Sequence, residues 1–291
     1  MKIRERLIHL HHCRGIGWKS IRKVLSHDPS LTHMYHWTTA EWQEILTLSP
    51  SNLQPFLSDL HSIEIEKQIR QYASNEIECM TIMDSDYPYL LKQIYDPPWV
   101  LYLKGRRSLL GDTPALGVVG ARKPSLYGQE ALKLILPPLI KKGFVINSGA
   151  AAGIDALSHK ISLDEKGKTI GVLGGGHFYI YPKENMPLAI EIMKKGLLIS
   201  EIPPQRRPEP WMFPMRNRII SGLSQGVFII EAKQHSGSLI TAQYALEHGR
   251  DVFALPGNVT SELSYGSNLM IQDGAKMVLH AGDIEVEFKR H

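Results

Sequence analysis

The chain has 291 residues, a length that allows one large domain with a smaller companion. Its 43% hydrophobic and 21% charged residues give the balance of a soluble globular protein, and no run nears the roughly 18 apolar residues of a membrane span, so no membrane insertion is expected. A net charge of +4 is too small to assert nucleic-acid binding, but residues 1–80 hold nine basic and nine acidic residues, so the whole excess falls on the remainder.

Residues 1–75 read as a helical N-terminal domain of short helices. Leu7, Ile8 and Leu10 begin one apolar face, and Ile21, Val24 and Leu25 form another after the Gly15-Ile16-Gly17 turn. That turn, followed by Trp18-Lys19, has the look of a helix-hairpin-helix phosphate contact or of a plain tight connection, and the neutrality of the segment favours the second. Thr38 and Glu41 stand at capping-box spacing. His9, His11, His12 and Cys13 invite a zinc reading, but neighbours on one helix point in different directions. The segment has no signal-peptide pattern, and two cysteines, Cys13 and Cys79, give no disulfide framework, so a cytoplasmic location is expected.

Residues 76–110 read as an irregular connector rich in aromatics and proline, including Asp86-Tyr87-Pro88 and Asp96-Pro97-Pro98-Trp99. From 111 to 291 the pattern becomes strand, turn, helix, repeated. Predicted strands are Ala115–Gly120, Phe144–Ile146, Thr169–Leu173, Leu197–Ser200, Val227–Ile230 and Val252–Leu255. Predicted helices cover Ala131–Leu139, Gly153–Leu163, Met186–Lys194 and Leu239–His248, with another through Arg216-Asn217-Arg218. Apolar strands alternating with amphipathic helices specify an α/β class and a doubly wound, mainly parallel sheet.

Ligands of such sheets gather at the carboxyl ends of the strands. Here those ends read Gly120-Ala121-Arg122, Ser148-Gly149-Ala150, Gly174-Gly175-Gly176, Ser236-Gly237-Ser238 and Pro256-Gly257. Small residues delivered to helix N-termini build anion pockets from backbone N–H groups and the helix dipole. Nucleotide signatures fail. Gly117-Val118-Val119-Gly120 is not G-x-G-x-x-G, and the second strand ends in Asn147-Ser148 rather than an acid. Gly167-Lys168-Thr169 lacks the first P-loop glycine and enters a strand, and Gln234 breaks a G-x-S-x-G elbow.

Catalytic groupings are thin. Asp155 and His159 share a helix face without a third metal ligand and read as structural, and Glu231 is either a general base or a strand-end ion pair. Basic residues weigh more. Arg122, Lys183, Arg216 and Arg218 bring charge from three loops to one sheet edge. Phe178, Tyr179 and Tyr181 accompany Lys183 and either stack bases or belong to the core.

Several blocks together resemble the DNA-processing protein A (DprA/Smf) family. They are Val118–Ser125 with Tyr127-Gly128, Ser148–Asp155, Tyr181–Asn185, Phe213–Ser224 and Ser236–Ala242, preceded by Asp86-Tyr87-Pro88 and Pro97–Tyr102. The likeness spans roughly residues 80–280. It implies an extended Rossmann-like domain with no cofactor and no enzymatic activity, one that binds single-stranded DNA, forms a homodimer and loads RecA recombinase during natural transformation. It further implies DNA contacts at Arg122 and Lys183, with Ser148, Gly149, Gly174, Gly175, Ser238 and Thr241 admitting the DNA backbone and Asn217 and Arg218 lining or bracing the pocket. Dimer contacts would fall at Leu269, Met270 and Met277, with Ile271 nearby. Departures include Ala121 before the first-loop arginine, Phe178 in place of an acid, and Ser158 before His159. The winged-helix module that some members append is not expected so soon after Gly282.

The competing readings are a Rossmann-like nucleotide or phosphoribosyl hydrolase with Glu231 as base, and a passive protein scaffold. Turnover of mononucleotides would mark the first, and absence of any DNA affinity the second.

Overall fold

The computed structural model describes residues 1–289; the last two positions of the 111–291 range lie outside the described residues. The chain forms two compact units: residues 1–85 with 98–102, and residues 86–97 with 103 onward.

The first unit contains α1 (Ile3–His12), α2 (Trp18–His27), α3 (Thr39–Leu46), α4 (Pro50–Ser62), α5 (Ile65–Ser74) and β1 (Glu78–Thr81). Thr38 and Glu41 form the expected capping box on α3: the Thr38 N–H donates to Glu41 at 2.6 Å and the Glu41 N–H to Thr38 Oγ1 at 3.3 Å. Leu7, Ile8, Leu10, Trp42, Phe56 and Tyr72 fill the core. The histidines of α1 are hydrogen-bonded within the unit. His12 Nδ1 lies 2.7 Å from Ile8 O and its Nε2 lies 2.9 Å from the Tyr72 hydroxyl. His9 Nδ1 lies 2.8 Å from the Tyr35 hydroxyl, and no group of acidic, histidine and cysteine side chains among the described residues forms a metal site.

The stretch expected to be irregular contains β1 and β2 (Val100–Gly105), with the short α6 (Tyr89–Lys92) between them. Val100-Leu101-Tyr102-Leu103 is a fully buried apolar run, and the adjacent Pro97-Pro98 hides it in the sequence.

The second unit continues as β3 (Ala115–Gly120), α7 (Leu126–Lys141), β4 (Val145–Ser148), α8 (Ile154–Asp164), β5 (Lys168–Val172), α9 (Met186–Lys195) and β6 (Leu197–Ser200). Then come α10 (Met212–Gly222), β7 (Gly226–Ile230), α11 (Gly237–Glu247), β8 (Asp251–Ala254), α12 (Tyr265–Gln272), β9 (Lys276–Met277) and α13 (Ala281–Phe288). Its strands run β6-β5-β4-β3-β7-β8-β9, and every pair from β6 to β9 is parallel. This is the doubly wound α/β sheet the sequence specifies. β3 and β7 are buried almost throughout, as strands covered on both faces must be. Leu116, Val118, Phe228 and Ile230 pack with Leu132, Ile135, Leu136 and Leu139 of α7.

Connectivity fixes where a ligand can sit. From β3 the chain steps outward through β4, β5 and β6, then returns to lay β7 on the other side of β3. The carboxyl ends of β3 and β7 therefore flank the topological switch point, the one place where consecutive loops part and leave a crevice.

Burial holds His12 neutral, pushing its pKa from the ordinary 6.5 to about 3. The unfolded chain therefore binds a proton that the folded unit refuses, so stability is full above pH 6.5 and is lost as pH falls toward 3. Between pH 8 and pH 5 this one group removes on the order of 2 kcal/mol. Four of the five tryptophans, Trp18, Trp37, Trp42 and Trp99, lie in this unit, so tryptophan fluorescence during thermal unfolding reports it directly. The expected result is a falling midpoint on acidification that a His12→Gln variant flattens in part.

Candidate functional site

At the switch point lies a cleft of about 680 Å³, with Arg122, Asp155, Arg216, Asn217, Ser238 and Thr241 among its walls. Its first wall is the loop after β3. The Ala121 N–H donates to Ile230 O at 3.2 Å and its carbonyl accepts from the Ile154 N–H at 3.1 Å, so the loop is pinned between β7 and α8. Arg122 follows directly, exposed and with no ion pair among the described residues. Further along, Ser125 caps α7, accepting from the Gly128 N–H.

Arg216 forms the floor. Its guanidinium is buried and donates to Val172 O, the last residue of β5. Gly149 is what admits it, because any Cβ there would overlap the guanidinium. Burial lowers the Arg216 pKa to about 10, with Asp155 working against the shift and Arg122 adding to it. Burial raises the Asp155 pKa, although Arg216, the Ala151 and Gly149 N–H groups and Ser148 pull it down. Neither charge is fully compensated. Two guanidiniums thus share a cleft with one carboxylate whose charge burial disfavours.

The glycines of the other strand ends serve the protein itself. A Cβ on Gly174 would stand 2.6 Å from the Phe213 ring, and one on Gly175 would stand 2.8 Å from Pro208. Gly176 lies under the carbonyls of Pro203 and Pro204. The triglycine turn is therefore roofed by segment 201–213 and does not open onto the cleft. Ser148 is fully buried and donates to Val118 O at 2.6 Å. Of the positions expected to admit a ligand's backbone, Gly149 faces Arg216, Gly174 faces Phe213 and Gly175 faces Pro208, while the Ser148 hydroxyl is engaged with Val118 O.

Of the other expected residues, Asn217 donates to Gly237 O at 3.1 Å and so steadies the Ser236-Gly237-Ser238 turn at the start of α11. Ser238 and Thr241 face the cleft from that helix, and the buried Thr241 hydroxyl has no partner among the described residues. Lys183 is exposed in the turn Lys183–Asn185. Tyr181, two residues before it, lines the cleft, and Asn185, two after, donates to Ala150 O and Ala151 O at 2.9 and 3.0 Å. Arg218 is elsewhere. It is 1% exposed and pairs with Asp96 at 3.0 Å and Glu201 at 2.8 Å. Burial works against its charge, yet these two carboxylates hold its pKa above the ordinary value. It braces α10 and lines no part of the cleft.

Glu231 is also outside the main cleft. One carboxylate oxygen accepts from the Ser125 N–H at 2.8 Å and the other from the Ser125 hydroxyl. It lines a neighbouring shallow cleft with Tyr127 and Pro256. His159 Nδ1 is taken by Thr169 Oγ1 at 2.7 Å, in line with its structural reading. Leu269 and Met277 are exposed and Met270 half-buried, on α12 and on β9, the last strand of the sheet. The sequence also under-read Phe213, Pro208 and Pro210, which line the cleft with Arg122. Their signal was the close spacing of proline and aromatics across the start of α10.

The two arginines of α10 should separate on substitution. Arg218→Ala leaves Asp96 and Glu201 facing an emptied site and should cost about 3–5 kcal/mol in urea unfolding. Exposed Arg122→Ala should stay within about 0.5 kcal/mol of the parent.

Residues 78–289 match the model of the DNA recombination-mediator protein A family. The chain is 46% identical over 221 residues to the DNA processing protein DprA of Bacillus subtilis, covering 76% of this chain and 74% of that protein. It superposes on the X-ray structure of DprA from Streptococcus pneumoniae with a TM-score of 0.86 and 36% identity, over 99% of both chains. A structure of Helicobacter pylori DprA, which concerns that protein's single-stranded DNA binding mode, matches with a TM-score of 0.66 and 28% identity, over 73% of this chain and 97% of that one. With the switch-point cleft and these matches together, the chain belongs to the DNA recombination-mediator protein A family.

Proposed function

We propose that this protein binds single-stranded DNA in the switch-point cleft and acts as a non-enzymatic mediator that hands the strand to RecA recombinase during natural transformation. The observation that carries this reading is the pairing of Arg122 with Arg216 in one cleft. Arg122 has no carboxylate partner among the described residues, and it raises the cost of the buried charge on Arg216. A phosphate between them relieves both. Lys183 on the exposed turn beside Tyr181 supplies the next cation along a strand, and the first turn of α11 adds its dipole. The single-stranded DNA binding of the H. pylori relative supports the same ligand.

The exposed side chains of Leu269 and Met277 offer an apolar edge for a homodimer, which a second copy would cover. Function in the cytoplasm fits this role, and no helix among the described residues is long and apolar enough to cross a membrane. A nucleotide-hydrolase reading that uses Glu231 is disfavoured, because both of its oxygens serve Ser125.

The test is fluorescence anisotropy with single-stranded oligonucleotides over a range of salt. Arg122→Ala and Lys183→Ala should each weaken binding about tenfold and flatten the dependence of log affinity on log salt by about one unit. An Arg122→Ala/Lys183→Ala double variant that binds as the parent does would refute the assigned cleft.

A further inference from the structure

Beside the cleft, two segments distant in sequence form a ledge that the phosphate contacts leave unused. After the triglycine turn come Phe178, Tyr179 and Tyr181, which are 40%, 38% and 54% exposed. The proline-rich segment 201–211 lies along this turn: the Gly176 N–H donates to Arg206 O at 2.9 Å and the Phe178 N–H to Pro204 O at 3.1 Å. It places Arg207 over the Tyr179 ring at 5.2 Å and Arg206 over the Trp211 ring at 5.7 Å. Arg206 and Trp211 also share Glu209, whose carboxylate accepts from both at 3.1 and 2.9 Å. No carboxylate among the described residues pairs with Arg207. The ledge runs into the cleft, because Tyr181 packs on Phe213 with ring centroids 5.5 Å apart and both line its wall with Pro208 and Pro210.

Such a surface is costly to expose, and Phe178, Tyr179, Tyr181 and Trp211 all remain more than a third exposed. Tyr179 and Trp211 each carry a guanidinium on the ring and Tyr181 packs on Phe213, so their orientations are set before a ligand arrives. Flat apolar faces edged with fixed positive charge suit one class of ligand, the unstacked bases of a nucleic acid strand whose phosphates are held nearby. A duplex keeps its bases stacked and paired and cannot present them.

Resting on the single-strand reading above, we propose that Tyr179 and Trp211, oriented by Arg207 and Arg206, form a base-stacking platform that makes the protein discriminate single strands from duplex DNA. The phosphate cleft supplies affinity common to both forms, and the ledge supplies the preference.

The experiment compares four ligands on the full-length chain: a thymidine oligonucleotide, an abasic strand of equal length, a duplex, and inorganic pyrophosphate as competitor. Tyr179→Ala/Trp211→Ala should weaken thymidine-strand binding roughly tenfold or more. Affinity for the abasic strand, affinity for the duplex and the salt slope should be unchanged, because no phosphate contact is lost. The Tyr179→Phe/Trp211→Phe variant should keep parental affinity and guard against loss of folding. Trp211 is the only tryptophan of the larger unit, so the parent's fluorescence should be partly quenched by the thymidine strand and that quenching should vanish in Trp211→Phe. Equal losses for thymidine and abasic strands, or none for either, would overturn the platform while leaving the cleft intact. Failure of the parent to bind any strand would overturn both readings.

Discussion

Everything at the switch point depends on one buried positive charge. Arg216 reaches from α10 across the carboxyl end of the sheet to the carbonyl that closes β5, and it does so through a gap that exists only because Gly149 has no side chain. A guanidinium in that position is under-compensated, since burial also disfavours the charge on Asp155. The structure tolerates the cost because both groups line an open cleft rather than a sealed core.

Arg218, two residues on, meets the opposite outcome. Asp96 and Glu201 neutralise it, and α10 is thereby fixed in rotation about its axis. The fixed rotation is what aims Arg216 at the cleft. One arginine is spent on architecture so that the other can be held with its charge unbalanced, and the exposed Arg122 then adds a second cation that needs no support from the core.

Much of this was legible in the sequence, for physical reasons. Strands such as Leu197–Ser200 are short apolar runs bounded by glycine or polar turns, and their buried positions leave little choice of element. The crowding of small residues at strand ends located the site edge. The sequence could not say what approaches those glycines. Close approach was required, but the visitors at Gly174 and Gly175 are Phe213 of α10 and Pro208 just before that helix. Nor did it single out Arg216, since the resemblance put Asn217 and Arg218 at the pocket instead. Two residues apart on a helix is about 200° around its axis, so only one can face a given cleft, and the deciding carboxylate Asp96 lies 122 positions away. β1 and β2 went unread because prolines and aromatics between them mimic irregular chain.

The loops around the cleft are each tied at their bases. Ala121 bonds to β7 and α8, Asn185 to the turn after β4, Asn217 to the start of α11, and Ser125 to Glu231. Loops tied in this way have less conformational entropy to lose on association than free ones. Encounter in such a site is governed by charge steering rather than by loop closure, so the rate of capture should fall with salt while the rate of release changes little.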